Sequence, residues 1–189
     1  PAAQHNLGNA YKNEGNYAAA EHCYKQFLVK QGADADVYNN LGLTKEAQGL
    51  TDEAIYYFKE AVNIQPNFAD AHNNLGIAHS LVLNYEAAEA CFLKAIAIDP
   101  SSAKTYTNLG KVLMDQGKSN EAINAFRQAL AIKRDCMEAY SNLLFALSLD
   151  PDCDVAAHQR ERKQWANIHE APIIKPDVVH ANLADPNRR

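Results

Sequence analysis

The chain has 189 residues, 47% hydrophobic and 22% charged, a balance that supports a buried core and excludes a wholly disordered or fibrous polypeptide. No apolar run exceeds five residues, Leu143 to Leu147 being one, far short of the roughly 18 to 20 residues a bilayer span needs, so no membrane-spanning helix is expected. Lys and Arg number 18 against 23 Asp and Glu, a net charge of -5 with no basic block, which argues against a nucleic-acid partner. The sequence opens on Pro1 with no charged-then-apolar leader after it, so the expectation is a segment of a longer polypeptide. Cys23, Cys91, Cys136 and Cys153 are too sparse for a disulfide scaffold and include no CxxC pair; free thiols and a cytoplasmic location are expected.

In chain order, helical spacing of apolar residues predicts a first helix near 2–14 and its partner near 17–31. The same pattern then returns as 35–48 with 51–64, 69–82 with 85–98, 103–116 with 119–132, and a last first helix near 137–149. What ties these pairs together is a period of 34: Leu7-Gly8, Leu41-Gly42, Leu75-Gly76 and Leu109-Gly110 recur in step, and Leu143-Leu144 continues the phase. Ala20, Ala54, Ala88 and Ala122 share a column, as do Tyr24, Phe58, Phe92 and Phe126, and Phe27, Ala61, Ala95 and Ala129. Small residues such as Gly42 and Ala54 permit two helices to cross closely, and Phe58 fills the space beside them. Gly49 and Gly117 mark turns, while Pro66 and Pro100 stop helices that a proline cannot continue; Gly32 and Arg134 stand where the other units close on proline.

These columns resemble the tetratricopeptide repeat, a helix-turn-helix unit of 34 residues, over residues 1–149. The resemblance implies an all-α fold: a right-handed superhelical solenoid of antiparallel helix pairs, with four full repeats and the first helix of a fifth. One hairpin cannot bury both faces, so neighbours must stack. Leu144 breaks the glycine column and calls for a different partner at the end of the stack. Residues 150–171 are assigned to a capping helix, with Asp154 as N-cap and Val155, His158, Trp165 and Ile168 on one face.

In a solenoid of this kind the first helices line the concave face, and there one phase holds Asn6, Asn40, Asn74, Asn108 and Asn142. A carboxamide offers two donors and an acceptor, which match the carbonyl and amide of a peptide unit. Helices about 8 to 10 Å apart and a strand advancing about 3.3 Å per residue let one rung serve roughly every third residue of an extended peptide. Asn39 and Asn73 flank the row and join the candidate peptide-binding set, with His5, Thr107 and Ser141 in the same column; Asp36, Asp70, Lys104 and Glu138 add charges of both signs. The alternative is that the amides bond to adjacent helices. Paired lysines that would capture a terminal carboxylate are missing, since His5, Asp70 and Asn74 stand in those columns. His72 and His79 are two ligands without a third and read as packing residues, so no metal is expected. Cys23 and Cys91 lie two repeats apart, about 20 Å at that helix spacing, beyond disulfide reach. Neither a catalytic set nor a cofactor motif stands out.

The tail continues through Asp150-Pro151 to Asp185-Pro186-Asn187-Arg188-Arg189. That arrangement resembles the junction between repeats and catalytic region in bacterial relatives of the O-linked N-acetylglucosamine transferases and in the SPINDLY proteins. The resemblance implies that residues 172–189 are a linker, and that the repeats recruit protein acceptors for a glycosyltransferase whose catalytic residues lie outside this chain. A free-standing adaptor and the repeat region of another enzyme, such as a sulfotransferase, are the alternatives. Pairing of two copies through the repeats is compatible with each.

Overall fold

A computed structural model describes residues 2–149, 159–163 and 166, and every regular element among them is helical. The helices are α1 (Ala2–Asn13), α2 (Tyr17–Gln31), α3 (Ala35–Ala47), α4 (Thr51–Ile64), α5 (Ala69–Leu81), α6 (Tyr85–Ile98), α7 (Ala103–Asp115), α8 (Ser119–Ile132) and α9 (Met137–Leu149). Each end lies within one residue of its expected position. Local chemistry explains the ends: the side chains of Asn16, Asp34, Asn84 and Ser102 accept from the backbone amides of Ala19, Val37, Ala87 and Thr105, which would otherwise be unpaired in the first turn. Gly15, Gly49 and Gly117 take φ of 77°, 75° and 76° in the turns between paired helices, a left-handed conformation that suits a residue without Cβ. The fourth such turn places Leu83 at φ 59°. Nothing in the period predicts a leucine there.

Consecutive helices pair as hairpins, α1 with α2 through α7 with α8, and each second helix packs on the next first helix. The backbones of first helices also approach one another, α1 to α3, α3 to α5, α5 to α7 and α7 to α9, whereas those of second helices stay farther apart among the described residues. A stack that closes on one side and splays on the other is curved, and here the first helices line the inside. The core lies inside and between hairpins: Ala20, Ala54, Ala88 and Ala122 are fully buried, and the rings of Tyr24, Phe58, Phe92 and Phe126 fill the crossings. A Cβ added to Gly8, Gly42 or Gly76 would lie 2.6, 2.5 or 2.7 Å from the ring of its own repeat, and Gly110 is opposed by Phe126 in the same way. Glycine is thus required by contact with the ring, as the column pattern implies.

Residues 152–189 form a unit of their own, in which 159–163 and 166 are helical. The rest of the expected capping helix, with Asp154, Val155, His158, Trp165 and Ile168, and the linker 172–189 lie outside the described residues. No helix among the described residues is long and apolar enough to cross a membrane.

Candidate peptide-binding surface

The inner face of the stack is lined by residues on one side of each first helix. In α3 these are Asp36, Asn40, Leu43 and Ala47; in α5, Asp70, Asn74, Ile77 and Leu81. Steps of four, three and four residues keep them on one side of a helix with 3.6 residues per turn. The asparagine row therefore runs down the middle of the concave surface.

The row is also a clasp between hairpins. Asn74 Nδ2 donates to Asn39 Oδ1 at 3.0 Å, and Asn108 Nδ2 donates to Asn73 Oδ1 at 3.1 Å. Asn40 Nδ2 meets His5 Nε2 at 3.1 Å, so the same step links the first two hairpins. Each asparagine thus spends one amide hydrogen on the residue 35 positions earlier, in the preceding first helix. Asn39, Asn73 and Asn74 are buried, 8%, 4% and 9% exposed. This departs from the expectation of an open row, because neighbouring first helices on the inside of the curve approach closely enough to cover these amides. Asn40, Asn108 and Asn142 are half-buried and Asn6 is exposed. Asn6 and Asn142 make no side-chain hydrogen bond among the described residues, so their full donor and acceptor capacity faces the inner surface.

Charge on this surface is uneven. Lys12 Nζ donates to Asn40 Oδ1 at 2.8 Å, and burial holds its ammonium below the ordinary lysine range. Burial pushes the Glu46 carboxyl up, with Lys104 pulling the other way. Asp36, Asp70, Lys104 and Glu138 are exposed in the first turns of their helices, and Lys111 pairs with Glu138 at 3.0 Å. In the first repeat the large ring belongs to Tyr24, whose hydroxyl donates to Asn9 Oδ1 at 2.6 Å; burial raises that phenol to about 12. Asn9 therefore serves the tyrosine, and the aligned positions Leu43 and Ile77, with phenylalanine rings behind them, are free to be apolar.

Other polar groups are structural. Lys45 is buried and pairs with Glu21 at 3.0 Å and Glu53 at 2.9 Å, which ties α3 to α2 and α4. His72 bonds to the carbonyl of Pro66 at 2.9 Å, and His79 is buried with Nδ1 lacking a partner. Among the described residues no cluster of three or more His, Cys, Asp or Glu could hold a metal. Cys23, Cys91 and Cys136 are free thiols. The sequence reading missed the apolar residues Leu43, Ile77 and Leu81; their signal was present three residues after Asn40 and three and seven residues after Asn74.

A family model described as tetratricopeptide repeat matches residues 34–101 and 67–135, and a second of the same description matches residues 1–28. No curated protein matches the chain. Among solved structures, a crystal structure of MamA superposes with a TM-score of 0.80 at 24% identity, over 88% of this chain and 96% of that one. MamA from Desulfovibrio magneticus RS-1 gives 0.79 at 16%, over 89% and 94%. A mutant O-GlcNAc transferase of Thermobaculum terrenum gives 0.63 at 25%, over 71% of this chain and 26% of that chain. The likeness to MamA is one of fold.

Proposed function

We propose that this chain, which belongs to the tetratricopeptide repeat family, is a noncatalytic scaffold that holds an extended segment of another polypeptide on its inner surface. The observation that carries this reading is the capacity left in the asparagine row after the clasp is made. Asn6 and Asn142 keep both donors and the acceptor, while Asn40 and Asn108 each keep one amide hydrogen beyond the one they give to a neighbour. Groups that bond to backbone without reading side chains suit a surface that accepts many sequences. Asn39, Asn73 and Asn74 act beneath it, by fixing the spacing of the rungs.

The test uses the two rungs outside the clasp. Asn6→Ala with Asn142→Ala is expected to weaken binding of a fluorescein-labelled unfolded polypeptide, such as reduced and carboxymethylated lactalbumin, with thermal unfolding unchanged. Unchanged affinity would sink the reading, because those amides would then be idle.

A second reading attaches the scaffold to an enzyme: the repeats recruit acceptor proteins for O-glycosylation. It is supported by the likeness to the Thermobaculum terrenum O-GlcNAc transferase and by Asp185-Pro186-Asn187-Arg188-Arg189. The adaptor reading is supported by the closer superposition on MamA, a TM-score of 0.80 against 0.63 for the transferase. Sugar transfer from a nucleotide sugar to protein, assayed on the full product of the gene with and without residues 1–149, separates the two. A transferase that loses protein acceptors but keeps short peptides on truncation favours recruitment; absence of transfer favours the adaptor.

A further inference from the structure

Which polypeptide suits this surface follows from the rows on either side of the asparagines. Along each first helix one row lies four residues before the asparagine and another three after it, about 6 Å and about 4.5 Å to its two sides at the helical rise. An extended backbone laid along the asparagines sends alternate side chains to opposite edges. One edge carries Asp36 and Asp70, both exposed; the other carries Ile77, while Leu43 on the same edge is half-buried against the core around Ala54 and Phe58.

The apolar edge continues outward. Leu81, Val82 and Leu83 are 58%, 43% and 69% exposed at the turn between α5 and α6, where the equivalent turns read Asn13-Glu14-Gly15, Ala47-Gln48-Gly49 and Asp115-Gln116-Gly117. Leu83 holds φ 59°, a conformation that the other three turns give to glycine. Strain of this kind persists when surroundings or function retain it, and a side chain so exposed has little packing to justify it. An apolar turn and a leucine in a glycine conformation thus fall at one place.

We infer, on the reading that the inner surface binds extended polypeptide, that its partner is apolar on one edge and cationic on the other. Such a segment lies over the second and third hairpins, its apolar side chains against Ile77, Leu81 and Leu83 and its cations against Asp36 and Asp70. An acidic segment would meet like charge at both aspartates.

Three labelled peptides of roughly 12 residues, about 40 Å when extended, test this against the whole chain by fluorescence anisotropy. One alternates leucine with lysine, one leucine with glutamate, and one serine with lysine. The leucine-lysine peptide should bind about 10-fold tighter than either other. Leu83→Gly should weaken it by about threefold while raising the unfolding temperature, opposite signs that a folding defect does not produce. Asp36→Asn with Asp70→Asn should abolish the preference for lysine over glutamate. Equal affinities for the three peptides, or a Leu83→Gly variant of unchanged affinity, would overturn this inference and leave the inner surface a general polypeptide site. Failure of all three to bind would overturn the inference and the scaffold reading together.

Discussion

A methyl group on Gly76 would sit 2.7 Å from Cε1 of Phe92, a distance at which either the ring or the helix must move. The ring is 1% exposed and has no empty space to enter. Gly76→Ala is therefore expected to lose about 1 to 3 kcal/mol of stability by overpacking, read as a lower urea midpoint with an unchanged slope. Leu83 gives the opposite case. A left-handed leucine carries roughly 1 to 2 kcal/mol of strain, and glycine returns roughly 0.5 to 1 kcal/mol as lost backbone entropy. Leu83→Gly should thus gain up to about 1 kcal/mol. His79 supplies a pH signature. Its burial, with Lys59 as a lesser cause, holds its folded pKa below the ordinary histidine value, so the folded state takes up fewer protons than the unfolded chain. The stability this confers is complete above about pH 6.5 and is lost as pH falls toward the lower folded value. Glu46 shifts upward and acts with opposite sign, its destabilising effect easing as pH falls through its folded pKa. The measurement is accordingly a difference: His79→Leu, which copies the aligned Leu113 and Leu147, should flatten the decline between about pH 6.5 and 5 relative to the parent.

Between hairpins, the clasp makes one asparagine column do two tasks. Asn74→Ala would strip Asn39 Oδ1 of its donor in a buried setting, at a cost of about 1 to 3 kcal/mol, whereas Asn142→Ala removes no bond among the described residues. Thermal unfolding of the two variants should separate them, and a cycle with Asn39→Ala should show coupling between Asn39 and Asn74 alone. The helices themselves were legible because a period of 34 is read from identity, and glycine, alanine and phenylalanine columns leave little choice about which faces meet. The asparagine row was legible as a row. Its division of labour was not, because burial of Asn74 depends on how closely α3 and α5 approach on the inside of the curve, a property of the stacked array. The burial of Lys45 was not legible for a related reason: its counter-charges, Glu21 and Glu53, come from two other helices, and only the stack brings them together.

Within residues 2–149 taken by themselves, stability should run down toward α1. In a solenoid each repeat draws on its own hairpin and on its neighbours, so a hairpin with an uncovered face opens first. Leu7 shows where that face is: it is 45% exposed, whereas Leu41, Leu75, Leu109 and Leu143, each packed under the preceding hairpin, are 0%, 5%, 6% and 2% exposed. Ala3 and Ala10 are exposed too, while the aligned Val37 and Ala71, and Thr44 and Ala78, are buried. The first hairpin is also joined to the second by a smaller helix-helix contact than those between α4 and α5 or α6 and α7. Lys45 offsets part of that deficit through its bond to Glu21, a link that salt screens only weakly because the ammonium is buried. Amide hydrogen exchange on the full chain should therefore find α1 the first to exchange, α2 next, and α4 to α7 the most protected. Lys45→Met, which keeps the apolar stem and removes the charge, should speed exchange in α1 and α2 with little effect on α7. Protection of α1 equal to that of α5, rising with protein concentration, would show instead that a second copy covers Leu7.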